Sequence, residues 1–300
     1  MSRTTAPLWR ATGLAWAETG ARMEWLSATG EVRAGEIELG AELGLVVGPD
    51  RRCVGVWAAG RRIPCATNTS LDPAATSGQC ASCAAMARSR SVATDTQLDD
   101  PREFSVYLAH HGSVVKAGIT ATERGRTRLL EQGALAAAFL SAGSLLSARR
   151  CESLLTAALG LPQQVRTARK REARRSPGTA EQRGGELSDV VARAHALDWP
   201  DGQTLRDPSP FDLTDTYGLP PDGVRPGHAV APLSPGQVIT GTVICRIGRD
   251  LYLATPAGLV LLDTGLLQGW TLARPDDRTG VTATLTPIAT HEEIAPDALF

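Results

Sequence analysis

The sequence predicts an α+β protein: an N-terminal β module with a zinc-binding segment, a central β-β-α-α domain, and a small barrel-like β module at the C-terminus. Three observations carry that prediction. Short apolar runs parted by turn residues occupy both ends of the chain. Four cysteines, Cys53, Cys65, Cys80 and Cys83, fall in a Gly-, Pro-, Asn- and Ser-rich stretch with no periodic pattern. Between that stretch and the second β region, two alternating segments are followed by two of helical spacing. At 300 residues and 42 % hydrophobic content, the chain has apolar side chains for more than one core.

Taken in order, Ala21 to Trp57 contains Arg22-Met-Glu-Trp-Leu, Glu36-Ile-Glu-Leu and Leu43-Gly-Leu-Val-Val, a spacing that predicts antiparallel strands joined by tight turns (segment 1–50). The cysteine segment (51–100) closes near Asp99-Asp100-Pro101. Glu103 to Ala109 alternates as a strand, His110-His111-Gly112 makes a turn with two exposed imidazoles, and Ser113 to Ile119 returns as a second strand. Glu123 to Gln132 is rich in helix formers and Gly133 stops it. Ser147 to Leu159 is a second helix, with Cys151, Leu154, Leu155 and Ala158 on one face. Gln163 to Gly185 reads as a solvated helix fading into a linker, which ends the central segment (101–185). Ser188 caps a short helix to Leu197, and a Pro- and Gly-rich connector follows (186–235). Four short strands, Gln237–Arg246, Asp250–Thr255, Gly258–Leu262 and Gly269–Ala273, make up segment 236–300, and a small closed barrel or a sheet would hide their edges.

Charge narrows the function classes. The 31 basic residues balance 32 acidic ones, which excludes a uniformly basic nucleic-acid coat, so any charge signal is local. Only two of the basic residues, Lys116 and Lys170, are lysines. No apolar stretch approaches the roughly 20 residues of a membrane span, and Arg3, Arg10 and Glu18 interrupt any leader core. A soluble, cytoplasmic protein with no membrane partner is expected.

Cysteines in a reducing compartment are metal ligands or buried thiols sooner than disulfides. Cys80-Ala-Ser-Cys83 is a C-x-x-C turn whose two thiolates reach one tetrahedral ion, and Cys53 and Cys65 can supply the other two. Four thiolates leave no open position, so the zinc would be structural. Buried thiols, or a redox pair lacking its usual βαβ context, are the other readings. Cys151 and Cys245 sit in apolar patterns as core residues.

The central block carries a resemblance. Ser105-Val106-Tyr107 ends one strand, Lys116-Ala117-Gly118 lies in the next, Arg128 follows on the first helix and Glu152 on the later one. In order and context these resemble the GIY-YIG nuclease superfamily, in its divergent branch with a Lys-Ile-Gly-x-Thr string. The chain is also similar to an uncharacterised bacterial family that has four cysteines before this block, a β module after it, and an Arg-x-x-x-Gln-Gly-Ala string, here Arg128-Leu-Leu-Glu-Gln-Gly-Ala134. The resemblance implies that Tyr107 acts as base or relay, Arg128 clamps phosphate, and Glu152 holds Mg²⁺ or Mn²⁺. Lys116 is expected to lower the pKa of Tyr107 by its nearby charge. Read without the resemblance, Tyr107 is a packing residue, Arg128 pairs with Glu131 or Glu123, and Glu152 pairs with Arg149.

Arg166, Arg169, Lys170, Arg171, Arg174 and Arg175 concentrate positive charge just after this block, and nucleic acid, DNA or RNA, is the partner they suggest. The expected activity is metal-dependent phosphodiester cleavage. The alternative is a zinc-containing nucleic-acid-binding or regulatory protein that keeps the scaffold without the chemistry, since Ser105, Lys116 and Ala117 depart from the superfamily's triplets.

Overall fold

The computed structural model describes residues 9–58, 60–89, 100–275 and 280–288. Arg3, and Asp99 of the boundary expected at Asp99-Asp100-Pro101, lie outside the described residues. The chain begins with β1 (Trp9–Ala17), β2 (Gly20–Ser27) and β3 (Val32–Glu36), paired in sequence, and then β4 (Glu42–Arg51). The cysteine segment holds a short hairpin, β5 (Val56–Ala58) with β6 (Arg61–Ile63), and helix α1 (Ala81–Ser89).

The central block runs β7 (Phe104–His110), β8 (Val115–Ala121), α2 (Gly125–Gln132), β9 (Ala136–Gly143), α3 (Leu145–Leu159), α4 (Thr167–Ala173) and α5 (Ala180–His195). After it come β10 (Gln203–Leu205), β11 (Phe211–Asp212), the short α6 (Thr214–Tyr217) and β12 (His228–Val230). The last elements are β13 (Val238–Ile247), β14 (Asp250–Thr255), β15 (Gly258–Asp263), β16 (Trp270–Ala273) and β17 (Leu285–Pro287).

The strands at the two ends of the chain share one sheet. Its order is β17-β12-β15-β14-β13-β4-β16-β1-β2-β3. Strand β4 lies between β13 and β16, with Leu45 opposite Ile239 and Val47 opposite Leu272. The expected closed barrel is therefore corrected: among the described residues the sheet is an open path ending at β17 and β3. N-terminal strands pair with the C-terminal ones instead of the latter closing on themselves. One core accordingly mixes Met23, Leu45 and Val47 with Ile239, Leu251, Leu262 and Trp270.

The central sheet has the order β10-β9-β7-β8, with β11 also on β9. All seven residues of β7 are buried, as an inner strand covered on both faces requires. The expected β-β-α-α order is corrected by β9, which enters between the two helices. Its run Ala136-Ala-Ala-Phe-Leu is rich in a strong helix former, yet seats against β7 as a buried strand, where small side chains let both faces be covered closely. On one face Leu145, Cys151 and Leu155 of α3 and Leu187 and Val191 of α5 meet Phe104, Val106 and Leu108. On the other, Leu129 and Leu130 of α2 pack with Tyr107 and Ala109 against Trp16, Cys245, Ile247 and Tyr252 of the large sheet.

The polar stretch after α3 is more ordered than expected. Thr179 caps α5 through a reciprocal box with Gln182, so that helix starts eight residues before Ser188. Ser188 instead donates its hydroxyl to the Gly184 carbonyl within the helix. Arg183, 4 % exposed, turns inward to the Asp212 carboxylate at 2.6 Å. The Pro- and Gly-rich connector is likewise anchored: the buried Tyr217 hydroxyl donates to the Ala134 carbonyl at 2.8 Å.

Candidate functional site

The four cysteines converge. Cys53 follows β4, Cys65 follows β6, and Cys80 and Cys83 flank the start of α1; all four Sγ atoms lie within 4.8 Å of one another, and none forms a disulfide. A tetrahedral Zn(Cys)4 centre, with Zn–S near 2.3 Å, needs S···S separations of about 3.8 Å. Cys65 Sγ and Cys80 Sγ stand 3.9 Å apart.

The backbone N–H of Gly55 donates to Cys53 Sγ at 3.4 Å and that of Cys80 at 3.2 Å, the pattern that stabilises thiolates around an ion. Gly55 has no substitute: its φ is +71°, and a Cβ would fall 2.0 Å from the Ile63 carbonyl oxygen. Against the upward push of burial, hydrogen bonds from Thr67 and Thr69 bring Cys65 down to about 5; the Cys83 backbone N–H lowers Cys80, and burial raises Cys53 and Cys83. The donor set and its spacing fit a closed four-thiolate metal centre.

A second cluster gathers on the central sheet. Tyr107 of β7 stands opposite Gly118 of β8, and Lys116 opposite Ala109, so Tyr107 and Lys116 share a face. Lys116 Nζ lies 5.8 Å from the Tyr107 ring centroid. The register explains the glycine: a Cβ on Gly118 would sit 2.5 Å from the Tyr107 hydroxyl. Gln132, at the end of α2, donates its side-chain amide to that hydroxyl at 2.6 Å. Arg128, one turn earlier, is half-buried and faces Glu131 at 3.5 Å. Glu152 of α3 is half-buried and makes no hydrogen bond or ion pair among the described residues.

These groups act on one another electrostatically. Burial, with the Arg128 charge, brings Lys116 down to about 8, while Glu152 pulls it the other way. Burial raises Glu152, with Lys116 and Arg149 opposing. Tyr107 is 2 % exposed, and burial pushes its phenol above the ordinary value despite the Gln132 hydrogen bond and the Arg128 charge. The expectation that Lys116 lowers Tyr107 is thus corrected: burial outweighs the cations, and Arg128 and Arg124 are the ones that lower it.

The basic run divides. Arg166 and Arg169 are exposed. Arg174 is 3 % exposed and locked to Asp250 at 2.6 Å; Arg171 bonds Asp250 at 2.5 Å and Asp263 at 3.0 Å. Those two arginines tie α4 to the large sheet and spend their charge on Asp250 and Asp263, so the expectation that they face nucleic acid is corrected. Arg175 is half-buried, 3.7 Å from Glu172. Lys170 donates to the Gln132 carbonyl at 2.8 Å.

Both imidazoles at the hairpin turn are buried, against the expectation of exposure. His110 accepts from the Gly112 N–H on Nδ1 and meets Glu186 through Nε2 at 2.7 Å. His111 Nδ1 faces the Gly133 carbonyl at 3.2 Å, and its buried Nε2 has no partner. Gln132 went unread as a site residue, although it occupies the position after Glu131 in the quoted Arg128–Ala134 string.

Fold and clusters together define a mixed α+β protein carrying a four-cysteine centre able to hold a metal ion. Among the described residues no helix is long and apolar enough to cross a membrane. Residues 46–272 match the sequence model of a family described as "Protein of unknown function (DUF2797)", and the chain belongs to that family. It matches no curated protein and no solved structure.

Proposed function

We propose that the protein acts on nucleic acid by metal-dependent phosphodiester cleavage at Tyr107, Lys116, Arg128 and Glu152, with zinc at Cys53, Cys65, Cys80 and Cys83 as a structural ion. The observation that carries the reading is that Tyr107 of β7 and Lys116 of β8 share a face, with Lys116 Nζ 5.8 Å from the Tyr107 ring, and that the charges of Arg128 of α2 and Glu152 of α3 bear on both. The chain order β7, β8, α2 and, beyond the inserted β9, α3 presents Tyr107, Lys116, Arg128 and Glu152 in the order on which the resemblance to the GIY-YIG nucleases rests.

Hydrolysis of a phosphodiester joins a water oxygen to phosphorus, breaks the bond to the leaving oxygen and moves one proton from the water to that oxygen. Arg128 and Lys116 offer fixed positive charge to the phosphoryl oxygens, where charge develops. The Glu152 carboxylate, with no hydrogen bond or ion pair among the described residues, fits a hard divalent cation, Mg²⁺ or Mn²⁺, which when bound would supply charge at the leaving oxygen. Tyr107 is held as a phenol and accepts from Gln132, so its own proton is available to a neighbouring oxygen; this suits a relay better than a standing base. Arg166 and Arg169, both exposed, offer further positive charge to a phosphate backbone.

The burial of Tyr107 favours one second reading, a protein that binds nucleic acid here without cutting it. Purified protein with Mg²⁺ or Mn²⁺ is tested on single-stranded, duplex and branched DNA and on RNA, beside Tyr107→Phe and Glu152→Ala. Cleavage lost in Glu152→Ala with binding retained supports the nuclease. Cleavage unchanged by both substitutions marks a contaminant, and salt-sensitive binding without cleavage supports the second reading.

A further inference from the structure

The two lysines of this chain come to the same place from distant parts of the sequence. Lys116 is on β8 and Lys170 on α4, and Tyr107 and Gln132 lie between them. The Tyr107 ring is 5.8 Å from Lys116 Nζ, its hydroxyl accepts from the Gln132 amide at 2.6 Å, and the Gln132 carbonyl accepts from Lys170 Nζ at 2.8 Å. Helix α4 is seated there by close contact with the β7–β8 turn, where a Cβ on Gly112 would fall 2.4 Å from Ala173 Cβ. Each ammonium has three donors and spends one on a carbonyl: Lys170 on Gln132, and Lys116 on Gln163 at 3.2 Å.

We infer that Lys116 and Lys170 together bind one phosphate group, with α4 bringing the second ammonium to the site proposed above. The inference rests on that site as the place where phosphate is held, and does not depend on the site cutting it. The surroundings explain why an anion is needed. Lys170 feels the charges of Lys116, Arg174 and Arg128, and Lys116 feels that of Arg128. The facing acids are few: Glu152 near Lys116, and Asp250 near Lys170. Asp250 is already held by Arg171 and Arg174. His111, which feels both lysines, stays neutral and adds no charge. Like charges kept together away from water are a cost to the empty fold that a multiply charged anion removes.

The residue type points the same way. Capping the end of α2 is a task arginine performs equally well, and this chain uses arginine almost everywhere it needs a cation. Lysine differs in being a compact charge that can shed its proton when crowded, which arginine cannot. Burial and the neighbouring cations bring both Lys116 and Lys170 to about 8. Crowding in the empty site is thereby relieved at mildly alkaline pH, and the full charge is restored when phosphate arrives.

Having only two lysines makes the test direct. Full-length protein grown with lysine labelled with carbon-13 at Cε gives two side-chain signals, assigned through Lys170→Arg. Inorganic phosphate is titrated near pH 7 at fixed ionic strength, with acetate as the control. The expected result is that both signals move along one saturation curve with phosphate and neither moves with acetate. Lys170→Met should weaken phosphate binding read at Lys116 by about tenfold, the loss of one charge-assisted contact. Movement of only one signal, of neither, or of both equally with acetate overturns the inference. If Lys170→Met fails to fold, the wild-type titration still decides. Concerted movement in a protein that cuts no substrate sinks the nuclease reading and keeps this one; cleavage without concerted movement does the reverse.

Discussion

The Arg174 guanidinium meets the Asp250 carboxylate at 2.6 Å with both side chains almost wholly buried, and joins α4 of the central block to β14 of the large sheet. Arg171 grips the same carboxylate from the next turn, and Tyr252 accepts from Arg174 at 3.3 Å. Removing the acid alone strands a buried charge. Asp250→Ala should therefore cost about 3–5 kcal/mol in urea unfolding, against about 0.5 kcal/mol or less for Arg166→Ala in the same run. Acid has the same target. Burial raises the Asp250 carboxyl, but the two arginines outweigh it and hold it below the ordinary range. A depressed carboxylate stabilises the fold above its unfolded pKa near 3.9, and that stability is lost as pH falls through the folded value. Asp250→Asn should flatten the loss of stability below about pH 4; an unchanged acid limb would refute the assignment.

The cysteine segment has too little apolar material to hold itself. Its buried cluster consists of Cys53, Val56 and Cys83, with Leu71 and Ala87 partly covered. A bound ion then supplies what a core would. The expected outcome is one zinc per chain by elemental analysis, lost in Cys83→Ser. After removal by a strong chelator, protease should cut between residues 53 and 89 while fragments of the central sheet survive. Equal resistance with and without zinc would mean that the segment folds by packing alone.

What the sequence made legible follows the range of the forces involved. The β7–β8 hairpin and the C-x-x-C turn are local, with alternation and spacing written in consecutive residues, and both were readable. Pairing of β4 with β13 joins residues almost two hundred positions apart, and no local pattern encodes it; four C-terminal strands considered alone then invite a barrel. Strand β9 was hidden by alanine, whose helix propensity is intrinsic while its burial beside β7 is a tertiary effect. The basic run shows charge but not partners. Only the fold reveals that Arg171 and Arg174 are spent on Asp250, while Lys170 comes within reach of the Lys116 charge.

Gly118 is where the hairpin and the site constrain each other. The Tyr107 ring lies over β8 because there is no side chain beneath it, and a Cβ would be 2.5 Å from the hydroxyl. Gly118→Ala should push the ring aside, break the Gln132 contact and cost about 1–3 kcal/mol as overpacking. Tyr107→Phe, which keeps the ring and loses only the hydrogen bond, should cost about 1 kcal/mol. Additive losses in the double variant would show that the two positions do not touch.

Crowded lysines leave a mark on stability at alkaline pH. Both have folded pKa values of about 8, below the unfolded value near 10.4. Between those values the unfolded chain binds more protons than the folded one, so stability rises with pH across that window. Below about pH 8 both lysines are charged in either state and the whole penalty is present. For the 8 % exposed Lys116 the climb is at most about 1.4 kcal/mol per pH unit, and Lys116→Met should remove it from the difference between urea midpoints at pH 8 and pH 10. The groups facing the pair are Arg128, Arg174, Glu152, Asp250, His111 and Tyr107, and comparing wild type with Lys116→Met isolates the lysine from them. Saturating phosphate should invert the trend, stabilising most where both lysines are charged. A midpoint difference that is the same in wild type and Lys116→Met would show that the lysines are not crowded.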